Sequence, residues 1–323
     1  MAAAIGLLAW WALRHVEERQ IATTVVEPAI VVTVKSTPLP KPIAIDTPAI
    51  DSPARFAFVI GADGDQYIRL ADDPGVRHGR YRLTDELTAV ATVKAKDLPA
   101  ELRAWQGREV LVDGTCRAKV TDFAMIARVD GWADFAGEAK WTARSVAGAG
   151  LSVLAGRLSA CTGTWARAAE LAPATTLVEV PNHDRTLEHR AMADLFATPF
   201  AADLQKQWRD AEQEGDWRLE VNVTTRVYND PQTQARWVLV HALRTGTCGD
   251  FHIDVLAVYR DDGDGLRRVT VHNSELTAIE RLVEVDGYLM LVGTTGITSY
   301  RAVEDLGGTN KARDEIPFVG CPC

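Results

Sequence analysis

The spacing of apolar residues changes after Gly215, where they begin to recur at every second position. This spacing restricts the second half of the chain to β-structure. Over residues 217–227, apolar residues alternate with polar ones, which indicates a strand with one buried face. Asp286-Gly287, further along, is a strong signal for a two-residue hairpin. Short turns make consecutive strands antiparallel neighbours, so an antiparallel meander sheet is predicted. Its other five strands are expected over residues 237–243, 251–260, 266–271, 279–285 and 288–292.

Two short amphipathic helices are predicted just before these strands. Asp184 can cap the first, and Thr198, followed by a proline at the first helical position, can cap the second. Their apolar residues recur at helical spacing: Leu187, Ala191 and Leu195 in the first helix, and Phe200, Leu204 and Trp208 in the second. A helical pair packed on one face of an antiparallel sheet gives an α+β fold.

The preceding residues, 56–180, contain several short strand patterns and one helix signal. A short helix is expected after Asp97, with Pro99 in its first turn and Gly107 at its end. Strands are expected over residues 88–95, 108–113, 117–129, 151–158 and 175–180. The predicted fold class is therefore α+β and β-rich: a small, partly open β-barrel-like domain, followed by the helical pair on its meander sheet.

The chain begins with twelve uncharged residues, 2–13, that include the pair Trp10 and Trp11. As a helix this segment would span about 18 Å, less than the roughly 30 Å hydrocarbon core of a bilayer. It has the length of a signal-peptide core, although no Lys or Arg precedes it. Arg14 and Arg19 follow it and would favour a cytoplasmic location for the chain beyond. A buried N-terminal helix is the alternative interpretation.

Six prolines between Glu27 and Pro53 predict an extended, semi-rigid spacer, although residues 30–34 could instead form an edge strand. An apolar segment, a spacer and folded domains, in that order, are typical of a protein held away from a membrane. The predicted organisation is a hydrophobic anchor or signal-like segment (1–15), a proline-rich linker (16–55), a β-rich domain (56–180), an α+β domain (181–306) and a cysteine-containing tail (307–323).

Five cysteines are spread along the chain and form no C-x-x-C pair, so a zinc ribbon or a thioredoxin motif is not supported. They are Cys116, Cys161, Cys248, Cys321 and Cys323. Four of them could form two disulfides in an oxidising compartment, which would agree with export. Free, buried cysteines in a reducing cytosol are the alternative. The spacing does not define the pairing.

The acidic loop that contains Asp261, Asp262 and Asp264 is a candidate calcium site because calcium prefers six to eight oxygen ligands. The EF-hand spacing is not met there, and aspartate and glycine are also the ordinary residues of hairpin turns. A structural turn is therefore the preferred interpretation, and no cofactor is expected.

His241, His252 and Asp254 are the candidate catalytic residues. His252 and Asp254 are two positions apart on one predicted strand and so share a face, and His241 on the preceding strand is expected to neighbour them across the sheet. Acid–histidine pairs of this kind serve in catalysis, but they also occur as satisfied structural pairs. The nucleophile motif G-x-S-x-G and glycine-rich phosphate loops do not occur in the sequence.

The net charge of −9 argues against nucleic acid as a partner, because a binder of phosphate backbones needs a basic stripe. Arginine outnumbers lysine 27 to 8, which fits a GC-rich bacterial genome. We expect a membrane-tethered extracytoplasmic protein, either anchored in the inner membrane and facing the periplasm or secreted, that binds or scaffolds another protein. A cytoplasmic location is the alternative, and the alternative function is a metal-dependent or His/Asp-based hydrolase in the C-terminal domain.

Overall fold

The computed structural model describes residues 52–85, 87–129, 142–148, 152–172, 174–181, 185–245, 251–295, 300–306 and 312–316. The predicted anchor and nearly all of the predicted linker, as well as Asp184, Cys248, Cys321 and Cys323, lie outside these residues. The predicted fold class is confirmed: the structure is α+β, rich in antiparallel strands, and one of its sheets is partly ring-like.

Eight antiparallel strands form this ring-like sheet, called the barrel below. They are β1 (Ala57–Ala62), β2 (Asp65–Asp72), β3 (Arg82–Leu83), β4 (Thr88–Val93), β5 (Glu109–Val112), β6 (Cys116–Arg128), β7 (Ser152–Leu158) and β8 (Trp165–Ala168). Their order is β3-β4-β6-β5-β8-β1-β2-β7, and an additional pairing of β6 with β7 joins six of them into a ring. A 3₁₀ turn (Ala95–Asp97) and helix α1 (Ala100–Arg103) connect β4 to β5, and α2 (Ala143–Gly148) lies between β6 and β7.

The hairpin β1–β2 and strand β8 were not among the predicted strands. The hairpin turns through Asp63 and Gly64, which both have positive φ (55° and 79°), as a two-residue turn of this kind requires. Strand β8 is buried along its whole length, so it shows no alternation of apolar and polar residues. Inside the barrel, Gly156 leaves space for a side chain of the neighbouring strand, since a Cβ added there would lie 2.7 Å from Val120 Cγ1.

Two further sheets follow the barrel, and both are antiparallel. The first sheet has the order β10-β11-β12-β13-β14 and the second sheet the order β18-β17-β16-β15-β9. Their strands are β9 (Thr175–Thr176), β10 (Val178–Glu179), β11 (Asn222–Asn229), β12 (Arg236–Arg244), β13 (Ile253–Asp261), β14 (Leu266–Asn273), β15 (Leu276–Val285), β16 (Tyr288–Thr295), β17 (Tyr300–Asp305) and β18 (Ala312–Asp314). The two predicted helices are α3 (Arg185–Phe196) and α4 (Pro199–Asp210).

The six predicted strands of the meander thus divide between two sheets instead of forming one. The reason lies in β12 and β13, which are apolar on both faces. One face, with Val240 and Val255, packs on helices α3 and α4. The other face, with Leu239 and Leu256, would be exposed to water unless the chain returned across it, and the second sheet covers it.

The predicted strand over residues 217–227 begins later than expected. Residues Trp217–Leu219 form a 3₁₀ turn, in which the Asp216 side chain accepts a hydrogen bond from the backbone N–H of Arg218 (3.0 Å). Trp217 is fully buried, whereas Leu219 is 83% exposed. The local cap therefore overrides the alternating pattern, and the strand starts at Asn222.

The barrel packs against the outer face of the second sheet through a shared apolar cluster. Its members are Phe56, Phe58 and Trp165 from the barrel and Val283, Val285, Met290, Val292 and Val303 from the second sheet. An ionic contact accompanies it: Asp286, in the turn between β15 and β16, binds both Arg55 and Arg167 of the barrel. This contact makes the barrel and the second sheet mutually dependent for burial.

Candidate functional site

The first sheet brings two of the three candidate catalytic residues into direct contact. His241 on β12 lies opposite Leu256 on β13, so Asp254, two residues before Leu256, is its diagonal neighbour on the same face. The distance from His241 Nε2 to Asp254 Oδ1 is 2.7 Å. His252 lies just before β13, half-exposed, with its Nε2 4.0 Å from Asp254 Oδ2. The predicted neighbourhood of His241 and Asp254 is therefore present; a catalytic role for the three residues stays a prediction.

A second histidine–carboxylate pair, which the sequence analysis missed, lies beside the first. His272 on β14 also lies opposite Leu256, so both histidines project from the same face of the first sheet. From the second sheet, Glu304 contacts His272 Nε2 through its Oε1 atom. Ser274 Oγ donates a hydrogen bond to Glu304 Oε2 (2.8 Å) and accepts one from the Leu276 backbone N–H (3.0 Å).

His241, Asp254, His272, Ser274 and Glu304, here called the intersheet cluster, are all buried. Burial raises the pKa of the Asp254 carboxyl, because desolvation disfavours its charged form. The hydrogen bond from His241 and the charges of His241 and His252 act in the opposite direction, whereas the nearby Glu304 carboxylate adds to the increase. The cluster is thus a pair of satisfied acid–base contacts inside a sandwich of two sheets.

The hydrogen bonds of the intersheet cluster limit its chemistry. In a Ser-His-Asp triad the serine hydroxyl group donates to the histidine, whereas Ser274 donates to a carboxylate. Each histidine contacts one carboxylate, and within the part of the chain that the structure describes no group of three or more His, Cys, Asp or Glu residues could hold a metal ion. This arrangement suits structural contacts within and between the sheets better than nucleophilic or metal chemistry.

The acidic loop candidates lie in the turn between β13 and β14. Asp261 is buried, binds Arg236 and accepts a hydrogen bond from the Gly263 backbone N–H (3.0 Å). Asp262 Oδ1 lies 2.6 Å from Arg260 Nε, and Asp264 is exposed. Two of the three carboxylates are thus engaged by arginines, Asp261 by Arg236 of the neighbouring strand β12 and Asp262 by Arg260 of its own hairpin. These contacts favour the structural-turn interpretation, and calcium binding stays an untested alternative.

Cys116 and Cys161 form a disulfide bond, with their Cα atoms 6.0 Å apart. Cys116 is the exposed first residue of β6, and Cys161 lies between β7 and β8, so the bond ties the ring of strands together near the surface. Cys248, Cys321 and Cys323 lie outside the described residues. Nothing in the spacing of the five cysteines singled out this pair.

No protein-family model, curated protein or solved structure matches the chain. Among the described residues, no helix is long and apolar enough to cross a membrane.

The shifted pKa of Asp254 leads to a prediction about pH. Because the folded chain binds this proton more tightly than the unfolded chain, the contribution to stability is complete below the unfolded pKa, near about 3.9, and is lost as pH rises through the raised folded pKa. We expect the difference in unfolding free energy between wild type and Asp254→Asn to be largest at pH 4 and to shrink towards pH 7, by about 1.4 kcal/mol for each tenfold difference in proton affinity. Urea denaturation between pH 4 and 7 measures it.

Asp65→Asn, which removes a carboxylate from a side chain that is 42% exposed, provides the control. Asp65 lies 3.7 Å from Arg157 in an ion pair whose two side chains are close to half-exposed, so Asp65→Asn should change the free energy of unfolding by less than about 1 kcal/mol. A difference between wild type and Asp254→Asn that grows with pH would show that the ion pairs with the histidines, and not burial, dominate at Asp254.

Proposed function

We propose that the chain is an extracytoplasmic binding or scaffolding module held at a bacterial membrane by its N-terminal apolar segment. The Cys116–Cys161 disulfide is the observation that carries the proposal. Disulfides persist in the periplasm and outside the cell, whereas cytosolic thiols are kept reduced. The apolar segment and the proline-rich spacer supply the route to the membrane, and another protein is the proposed partner.

The burial of the intersheet cluster supports a role in binding more than in catalysis. A substrate would have to reach His241 and Asp254 between two packed sheets, and both residues are only 5% exposed. The two residues are neighbours on adjacent strands, and each provides a hydrogen-bond partner for the other's buried side chain. A structural pair requires no more than this. The hydrolase alternative rests on His252, the one half-exposed member of the candidate triplet.

The redox state of Cys116 and Cys161 in living bacteria tests the proposal. Cells that express the full chain are quenched with acid, and free thiols are labelled with a maleimide that adds mass, with and without prior reduction. We expect two additional labels after reduction, because the disulfide protects Cys116 and Cys161 until then. The Cys116→Ser/Cys161→Ser variant should show no such pair of labels.

A chain that lacks residues 2–13 is the matched control for export. Without the apolar segment the chain should remain in the cytosol, and Cys116 and Cys161 should be labelled without prior reduction. The proposal is wrong if the full chain fractionates with cytosolic proteins and carries both thiols free. If both forms are oxidised, the apolar segment is not the export signal.

A further inference from the structure

The first sheet has an open edge at the beginning of β11. Strand β11 pairs with β12 along its whole length, but its other side is covered only at its far end, where β10 pairs with Tyr228 and Asn229. Residues 222–226 carry no strand on that side within the described part of the chain, and their side chains are exposed or half-buried. Such an edge presents unpaired N–H and C=O groups to any strand that can align with it.

The covered end of β11 shows which of its residues direct their backbone N–H and C=O groups towards the open edge. The Val180 N–H donates to the Val227 carbonyl oxygen (2.8 Å), so the odd-numbered residues of β11 direct their backbone groups outward. Val223 and Thr225 therefore offer two N–H and two C=O groups. An antiparallel strand whose own outward-directed residues are also two positions apart would form hydrogen bonds with all four of these groups.

Residues 222–226 of a second copy meet this requirement. A twofold axis through Thr224 places Thr224 opposite itself, Val223 opposite Thr225, and Asn222 opposite Arg226. Val223 and Thr225 are both odd-numbered, so each pair of outward-directed groups faces its complement. No like charges lie opposite each other, and threonine pairs are favourable across antiparallel strands.

Two exposed apolar side chains flank the open edge, one at each end. Leu219, just before β11, is 83% exposed, and Val178, which pairs with Asn229 at the covered end, is 58% exposed. They are the exposed large hydrophobic residues of the described chain.

We propose that the chain forms a twofold-symmetric dimer by antiparallel pairing of β11 with β11 of a second copy, centred on Thr224. The outward-directed backbone groups of Val223 and Thr225 and the absence of like-charge opposition support the same occupant. The inference does not depend on export or on the membrane anchor. Pairing over five residues makes the contact short, so a reversible dimer is expected.

Cysteine cross-linking tests the register. The parent is the full chain in detergent solution with Cys248, Cys321 and Cys323 replaced by serine. Directly opposite residues of a non-hydrogen-bonded pair have Cα atoms about 4.5 Å apart, which a disulfide can bridge. Thr224→Cys should therefore form a covalent dimer under mild oxidation, in at least fivefold greater yield than the parent.

Asn222→Cys and Arg226→Cys provide the matched controls. Each residue is displaced from its own symmetry copy by four residues, or about 13 Å, so neither variant alone should cross-link. A mixture of the two should form a covalent heterodimer. Equal cross-linking by all three single variants would indicate random collision, and a chain that sediments as a monomer at every concentration would overturn the proposal.

Thr225→Pro tests the dimer contact without disturbing the fold of the single chain. Its backbone N–H points outward, so proline removes no hydrogen bond within the chain, and proline is tolerated on edge strands. We expect the dissociation constant of the dimer, measured by sedimentation, to rise at least tenfold while the circular dichroism spectrum is unchanged. An unchanged dissociation constant in this folded variant would place the dimer contact elsewhere.

Discussion

Asp286→Asn should lower the free energy of unfolding by about 3–5 kcal/mol, because it leaves two buried positive charges without a counter-ion. Arg55 Nε lies 2.9 Å from Asp286 Oδ2, and Arg167 Nη2 lies 3.0 Å from Asp286 Oδ1. Arg167 is fully buried, and its Nε and Nη1 atoms find no other hydrogen-bond partner within the described chain. Urea denaturation at pH 7 measures the loss.

Asparagine is the informative replacement because Asp286 has a φ of 51°, a left-handed conformation that asparagine adopts readily. The substitution therefore removes the charge without straining the hairpin turn. Asp65→Asn removes a carboxylate from an exposed ion pair and should change stability by less than about 1 kcal/mol. Similar losses of unfolding free energy in both variants would contradict the conclusion that burial makes the ion pairs of Asp286 more stabilising than an exposed pair.

Removal of the Cys116–Cys161 disulfide is expected to cost about 2–4 kcal/mol. The two cysteines are 45 residues apart, and in the chain-entropy model a loop of that size restricts the unfolded chain by roughly 4 kcal/mol. The Cys116→Ser/Cys161→Ser variant should therefore unfold at a lower urea concentration. Its dependence on urea should also be steeper, because the unfolded chain without the cross-link exposes more surface.

Reduction of the wild-type chain provides an independent measurement of the same quantity. Dithiothreitol should destabilise the wild type by about as much as the double substitution does, and it should leave the double variant unchanged. Equal stability of the oxidised wild type and the double variant would mean that strain in the folded barrel offsets the restriction of the unfolded chain.

The strands and their turns were predicted correctly wherever apolar and polar residues alternate clearly and turn residues follow. The hairpin at Asp286-Gly287 forms as predicted, and His241 lies beside Asp254 because adjacent antiparallel strands bring same-face residues together. Strand β8 escaped prediction because burial on both faces removes the alternation. The predicted strand start near Trp217 was wrong because a side-chain cap competed with the pattern.

The candidate site was only half predictable. The contact of His241 with Asp254 spans 13 residues and one turn, whereas that of His272 with Glu304 spans 32 residues and joins two sheets. No local rule relates β14 to β17. Ser274 and Glu304 become neighbours only because the second sheet folds back over the first.

The amino-acid order alone was enough to establish an antiparallel, strand-rich α+β chain with a helical pair, because alternation, caps and turn residues act over a few positions. The tertiary structure decided which cysteines bond, which strands share a sheet and which charges are buried together. Alternation shows that a face is buried but not what buries it. The partner of each face, and with it the Asp286 contact, the intersheet cluster and the open edge of β11, is therefore set by packing between distant segments.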